Sequence, residues 1–165
     1  MLRRFLLAAL LALPLAHAKE AAPPSELSTY IAKPEPESGW KLVTKAEFGD
    51  CEYWHINLKS QVWQNIPWEH DLVIFKPKNV TSDGKMVLLN EGGSFKQDKA
   101  MYGAFLATKM QAPVAIVLGV PKQPLFHGKR EDDLIAETFV RYLDTQDGNW
   151  PLLFPMVKTV VKAMD

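Results

Sequence analysis

The chain has 165 residues, with 19 Lys+Arg against 19 Asp+Glu, one Cys, five Trp and 47% hydrophobic residues. That length suits one domain, and a balanced charge without a basic run argues against a nucleic-acid binder, whose affinity comes mainly from neutralising phosphates. A single Cys excludes an intramolecular disulfide framework and a Cys-rich zinc site.

The chain opens with a secretory signal pattern over residues 1–18. Arg3 and Arg4 form a basic start, Phe5–Leu15 is an apolar run too short to span a bilayer comfortably, and Ala16-His17-Ala18 fits small-x-small cleavage before Lys19. A periplasmic or secreted location follows as an expectation, with no stable membrane span after cleavage. Cleavage leaves 17 basic against 19 acidic residues. Residues 19–39 hold Pro23, Pro24, Pro34 and Pro36 and read as a linker or extended arm. Residues 40–165 read as the folded part.

In that part Glu52–Leu58 alternates Tyr53, His55 and Asn57 against Trp54, Ile56 and Leu58, which predicts a two-faced strand. Gln61–Ile66 reads as a second short strand after a turn at Lys59-Ser60, closed by Pro67. Leu72–Phe75, Met86–Leu89 and Val114–Leu118 are continuous apolar runs of the kind buried on both faces. Ser82-Asp83-Gly84 is a polar turn between the first two. Asp98–Met110 carries Met101, Ala104, Phe105 and Thr108 at helical spacing. Glu131–Leu143 carries Leu134, Ile135, Phe139 and Tyr142, with acids in its first turn, where the helix dipole favours them. A last helix is predicted from Pro155, with Met156, Val157, Val160, Val161 and Met164 as its apolar stripe. Strands alternating with amphipathic helices predict an α/β fold containing parallel β-α-β units after a leading hairpin. The stripe reaches Asp165 without a following strand to receive it, which reads as a chain ending part-way through a larger fold.

Glu91-Gly92-Gly93-Ser94 lies between a buried strand and a helix, where open α/β sheets bind ligands. Two glycines leave backbone N–H groups unshielded, able to cradle an oxyanion or a phosphate. The third glycine of a dinucleotide fingerprint is missing. Lys96 stands where a nucleophile elbow needs Gly, so Ser94 is not read as a nucleophile. His55, His70 and His127 have no partner at metal-ligand spacing, and Cys51 has no neighbouring base, so neither a metal site nor a cofactor is expected. Trp40, Trp54, Trp63 and Trp68 suit the space beneath a hairpin. Arg130 with Glu131-Asp132-Asp133 reads as a solvated helix start, and Asn79-Val80-Thr81 is a glycosylation sequon that matters only in a eukaryote.

Several segments match a specific pattern in order. Ser60-Gln61-Val62-Trp63, Val87–Ser94, Val120-Pro121-Lys122-Gln123-Pro124-Leu125 and Arg130–Ala136, followed by Trp150-Pro151-Leu152 and Lys162–Asp165, resemble the PhoPQ-activated pathogenicity-related protein family. That family in turn resembles secreted autocrine proliferation repressor proteins. The resemblance implies an exported α/β-hydrolase-like protein longer than this chain, acting on acyl or peptide bonds through a Ser nucleophile. Its elbow and later Asp and His would lie past the position matching Asp165. It implies that Gly92, Gly93 and Ser94 form the loop after the third hydrolase strand, which supplies an oxyanion N–H. Where this chain has Glu91 the family often has another Gly, and a carboxylate there opposes developing negative charge. The expectation is a partial α/β-hydrolase-like domain, inactive as this chain and without catalytic residues of its own. The alternative is a secreted non-catalytic binding or signalling module. Either would meet an extracytoplasmic substrate or protein partner.

Overall fold

The computed structural model describes residues 25–81 and 84–165. The expected signal segment and Ser82-Asp83 of the polar turn lie outside the described residues. In chain order the elements are α1 (Glu26–Ala32), β1 (Gly39–Phe48), β2 (Cys51–Trp63), β3 (Ile66–Pro77), β4 (Val87–Glu91), α2 (Gln97–Met110), β5 (Val114–Leu118), α3 (Glu131–Thr145) and α4 (Leu153–Met164). The five strands form one sheet in the order β1-β2-β3-β5-β4. The pairs β1–β2, β2–β3 and β3–β5 are antiparallel, and β4–β5 is parallel, with α2 as its crossover. The α/β class and the β-α-β unit expected from the sequence are present.

The leading hairpin is longer than its local pattern suggests. Lys59-Ser60 is not a turn: β2 runs through it with a register shift between Lys59 and Gln61. The chain reverses at Gln64-Asn65, both with positive φ (50° and 61°), between the paired residues Trp63 and Ile66. Two left-handed residues match the right-handed twist of the flanking strands, and Asn tolerates that conformation. Pro67 therefore lies inside β3, and Leu72–Phe75 belongs to an antiparallel strand. The arm is not extended throughout, because α1 forms within it, capped by the Ser25 hydroxyl, which accepts from the Ser28 N–H at 3.1 Å.

Side-chain alternation along the strands divides the core. Val73, Phe75, Val114, Ile116 and Leu118 face α2, packing on Ala100, Ala104 and Ala107. Leu58, Leu72, Ala115 and Val117 face the opposite side, where Met156 and Ala163 of α4 cover them. A third cluster holds Tyr30, Trp63, Trp68, Leu134 and Leu152. Trp63 and Trp68 thus fill the space expected of them, whereas Trp40 is 72% exposed.

Three helix faces differ from the sequence reading. The inner face of α2 is built of small residues, and Met101 and Phe105 are 56% and 57% exposed. The helix sits so close to the sheet that a Cβ on Gly103 would fall 2.2 Å from the Phe75 ring. In α3 the buried residues are Leu134 and Thr138, and Phe139 is exposed. In α4, which starts at Leu153, the buried residues are Pro155, Lys158 and Thr159, while Val157 and Met164 of the expected stripe are exposed. Buried polar partners on β2 and the arm select that face. In the sheet Val114–Leu118 is internal, between β3 and β4, and β4 is an outer strand.

Candidate functional site

Parallel strands β4 and β5 both end at one rim, and their C-terminal loops meet there. Gly119, just past β5, donates its N–H to the Glu91 carbonyl at 3.0 Å. Its φ of +76° and the Gly93 carbonyl oxygen, 3.1 Å from where a Cβ would stand, both favour glycine. Gly92, Gly93 and Ser94 are exposed, and their N–H groups make no hydrogen bond among the described residues. The loop predicted from the sequence thus occupies the rim at which open α/β sheets generally bind ligands.

A cleft of about 490 Å³ opens beside the loop, lined by Gly93 and Ser94 together with Asn57, Glu69, His70, Asp71, Lys122 and Arg130. The lining is mainly polar, with Leu118 and Pro121 as its apolar members. The Glu69 and Arg130 side chains make no hydrogen bond or ion pair among the described residues, so both charges are open to a ligand. Lys122 is tied by a 2.7 Å bond from Nζ to the Pro67 carbonyl. The Glu91 carboxylate is paired with Lys99 of α2, whose ammonium pKa the bond raises. That pairing offsets the charge Glu91 brings near the loop.

The histidines separate into distinct environments. His70 is buried, its Nδ1–H donating to the Gly119 carbonyl at 3.1 Å, so that Nε2 is the unprotonated nitrogen of the neutral ring. Burial pushes its pKa from 6.5 down to about 4, outweighing the carbonyl bond, which pulls it up. Nε2 lies 3.5 Å from the Thr159 hydroxyl, within a polar network that includes Ser60 and Gln61. His55 pairs with Asp71, Nε2 to Oδ1 at 2.7 Å, and the other Asp71 oxygen accepts the Phe95 N–H at 2.8 Å. His127 stays exposed in its loop and outside the cleft lining. Cys51 is fully buried against the Ala104 carbonyl and Thr108.

Arg130, read as a solvated helix start, does cap α3 without a side-chain bond, but it also lines the cleft. Asp71 escaped the sequence reading altogether. Its partners come from β2 and from the glycine loop, so only the strand register joins them. Among the described residues no group of three His, Cys, Asp or Glu side chains could hold a metal ion. No serine hydroxyl among them is hydrogen-bonded to a histidine.

A family model described as PhoPQ-activated pathogenicity-related protein matches residues 27–165. The chain belongs to that family. Among solved structures it is similar to a glucuronoyl esterase from Solibacter usitatus, with 14% identity and a TM-score of 0.50. The match covers 85% of this chain and 46% of the esterase. A second glucuronoyl esterase structure from the same organism matches with 11% identity and a TM-score of 0.39, covering 75% of this chain and 47% of that one. No curated protein matches the chain. The likeness to the first esterase bears on fold: this PhoPQ-related chain has a hydrolase-like sheet and spans less than half of that protein's length.

Proposed function

We propose that this PhoPQ-related chain supplies the oxyanion loop and part of the substrate cleft of an exported ester- or amide-hydrolysing protein, and that alone it does not turn over substrate. One observation carries the reading: the N–H groups of Gly92, Gly93 and Ser94, without a hydrogen bond among the described residues, stand at the C-terminal rim of the parallel strands, where Gly93 and Ser94 line a polar cleft. Such donors stabilise the negative charge that develops on a carbonyl oxygen during acyl transfer. The esterase fold likeness and the family support the reaction class. The open charges of Glu69 and Arg130 in the same cleft favour a second reading, ligand binding outside the cell without turnover.

The purified chain should hydrolyse p-nitrophenyl acetate no faster than its Gly93→Trp variant. Acetate, a mimic of the oxyanion, should shift the Gly92, Gly93 and Ser94 amide resonances saturably. Turnover above the variant overturns inactivity, and unshifted amides overturn the oxyanion reading. Export is tested by N-terminal sequencing of periplasmic or secreted material, with Lys19 expected as the first residue.

A further inference from the structure

We infer that Asp71 is the positioning residue of the glycine loop, held in place by His55 and setting the direction in which the loop's free N–H groups point. The inference rests on the oxyanion reading of that loop, but its first readout does not. Asp71 lies on β3 opposite Asn57, which makes His55 its diagonal neighbour on the same face of β2. A carboxylate only accepts hydrogen bonds, so the 2.7 Å contact fixes the proton on His55 Nε2. Oδ1 is thereby engaged, and Oδ2 is left to take the Phe95 N–H at 2.8 Å.

Phe95 is the residue directly after Ser94, and its ring packs on His55 with centroids 4.8 Å apart and on Tyr53 at 5.7 Å. The loop is therefore pinned at its downstream end through both backbone and side chain. Upstream, β4 pairs with β5 as far as Glu91, so three residues without internal hydrogen bonds are suspended between two fixed points. Orientation of donors before the charge develops is what makes an oxyanion hole effective. The residues that hold the donors in place here are Asp71 and His55.

The test uses the full ¹⁵N-labelled chain with acetate as probe. In Asp71→Ala the Phe95 amide should exchange at least about tenfold faster, and acetate affinity at Gly93 and Ser94 should fall about tenfold. Amides of the β2–β3 ladder serve as the internal control. Asp71→Asn should restore much of the protection, since its side-chain oxygen can accept the Phe95 N–H. His55→Phe keeps a ring against Phe95 but removes the donor. It should loosen the loop partially, and it decides the matter if Asp71→Ala does not fold. Unchanged Phe95 exchange in Asp71→Ala, or in His55→Phe where that variant decides, overturns the inference. If acetate leaves the wild-type amides unmoved, the oxyanion reading falls and Phe95 exchange alone judges the clamp.

Discussion

His70 shows how one buried residue ties the cleft to stability. Its ring is held neutral between the Gly119 carbonyl and the Thr159 hydroxyl, and burial lowers its pKa from 6.5 to about 4. Because the folded value lies below the unfolded one, the unfolded chain takes up the proton first as pH falls. The contribution is present above about pH 6.5 and is lost progressively towards pH 4, a span worth roughly 3 kcal/mol. Urea midpoints measured from about pH 7 to pH 4 should fall accordingly in the wild type and run flatter in His70→Gln. Equal slopes in the two proteins would show that the proton uptake lies elsewhere. Glycine at 119 belongs to the same arrangement, since its φ of +76° and the close Gly93 carbonyl both disfavour a side chain beside His70.

At the scale of elements, α1 and α4 are joined by a charge. Lys158 is 1% exposed, and its ammonium donates to the Lys33 carbonyl at 2.8 Å and pairs with Glu35 at 2.6 Å. The Tyr30 hydroxyl donates to Gln61 at 3.0 Å, and Gln61 donates to the Pro155 carbonyl at 2.7 Å, so arm, sheet and last helix share one polar network. Lys158→Met leaves the Glu35 carboxylate and a carbonyl without their donor, and breaking a buried pair costs about 3–5 kcal/mol. The expected result is a lower denaturation midpoint together with faster proteolysis between α1 and β1; an unchanged midpoint would refute it. This network also marks where sequence reading stops. A hydrophobic stripe on α4 was legible, but the side that faces inward was chosen by polar partners about 90 to 130 residues away. On α2 the large residues looked like the core, whereas close approach to Phe75 reserves the inner face for Ala and Gly. The glycine loop was legible because its chemistry is local. The Asp71 clamp was not, because it joins three segments that only strand register brings together.

Over the whole molecule, large apolar side chains stay exposed on several elements, and α2 carries four of them. Beyond β4 no strand is paired among the described residues, and β4 itself is only half-buried. Met86, Met101, Tyr102, Phe105 and Met110, on β4's approach and α2, are all 42–57% exposed. An unpaired strand edge templates association, and exposed large apolar residues add a driving force that scales with the area they bury. The edge strand is short, which limits ladder pairing, so the α2 side chains should supply most of the attraction. The prediction is that the chain self-associates reversibly, sedimenting above its 18.6 kDa monomer mass at micromolar concentration. The double variant Met101→Lys/Phe105→Lys should shift the distribution towards monomer without lowering the thermal midpoint, because neither side chain is in the core. Salt dependence separates the two sources: apolar association strengthens with sulfate, whereas charge pairing weakens. A wild-type chain that stays monomeric across the concentration range would show that neither the α2 side chains nor the β4 edge drives association. Loss of association only when β4 is altered, for instance in Leu88→Lys, would instead assign the contact to the strand edge.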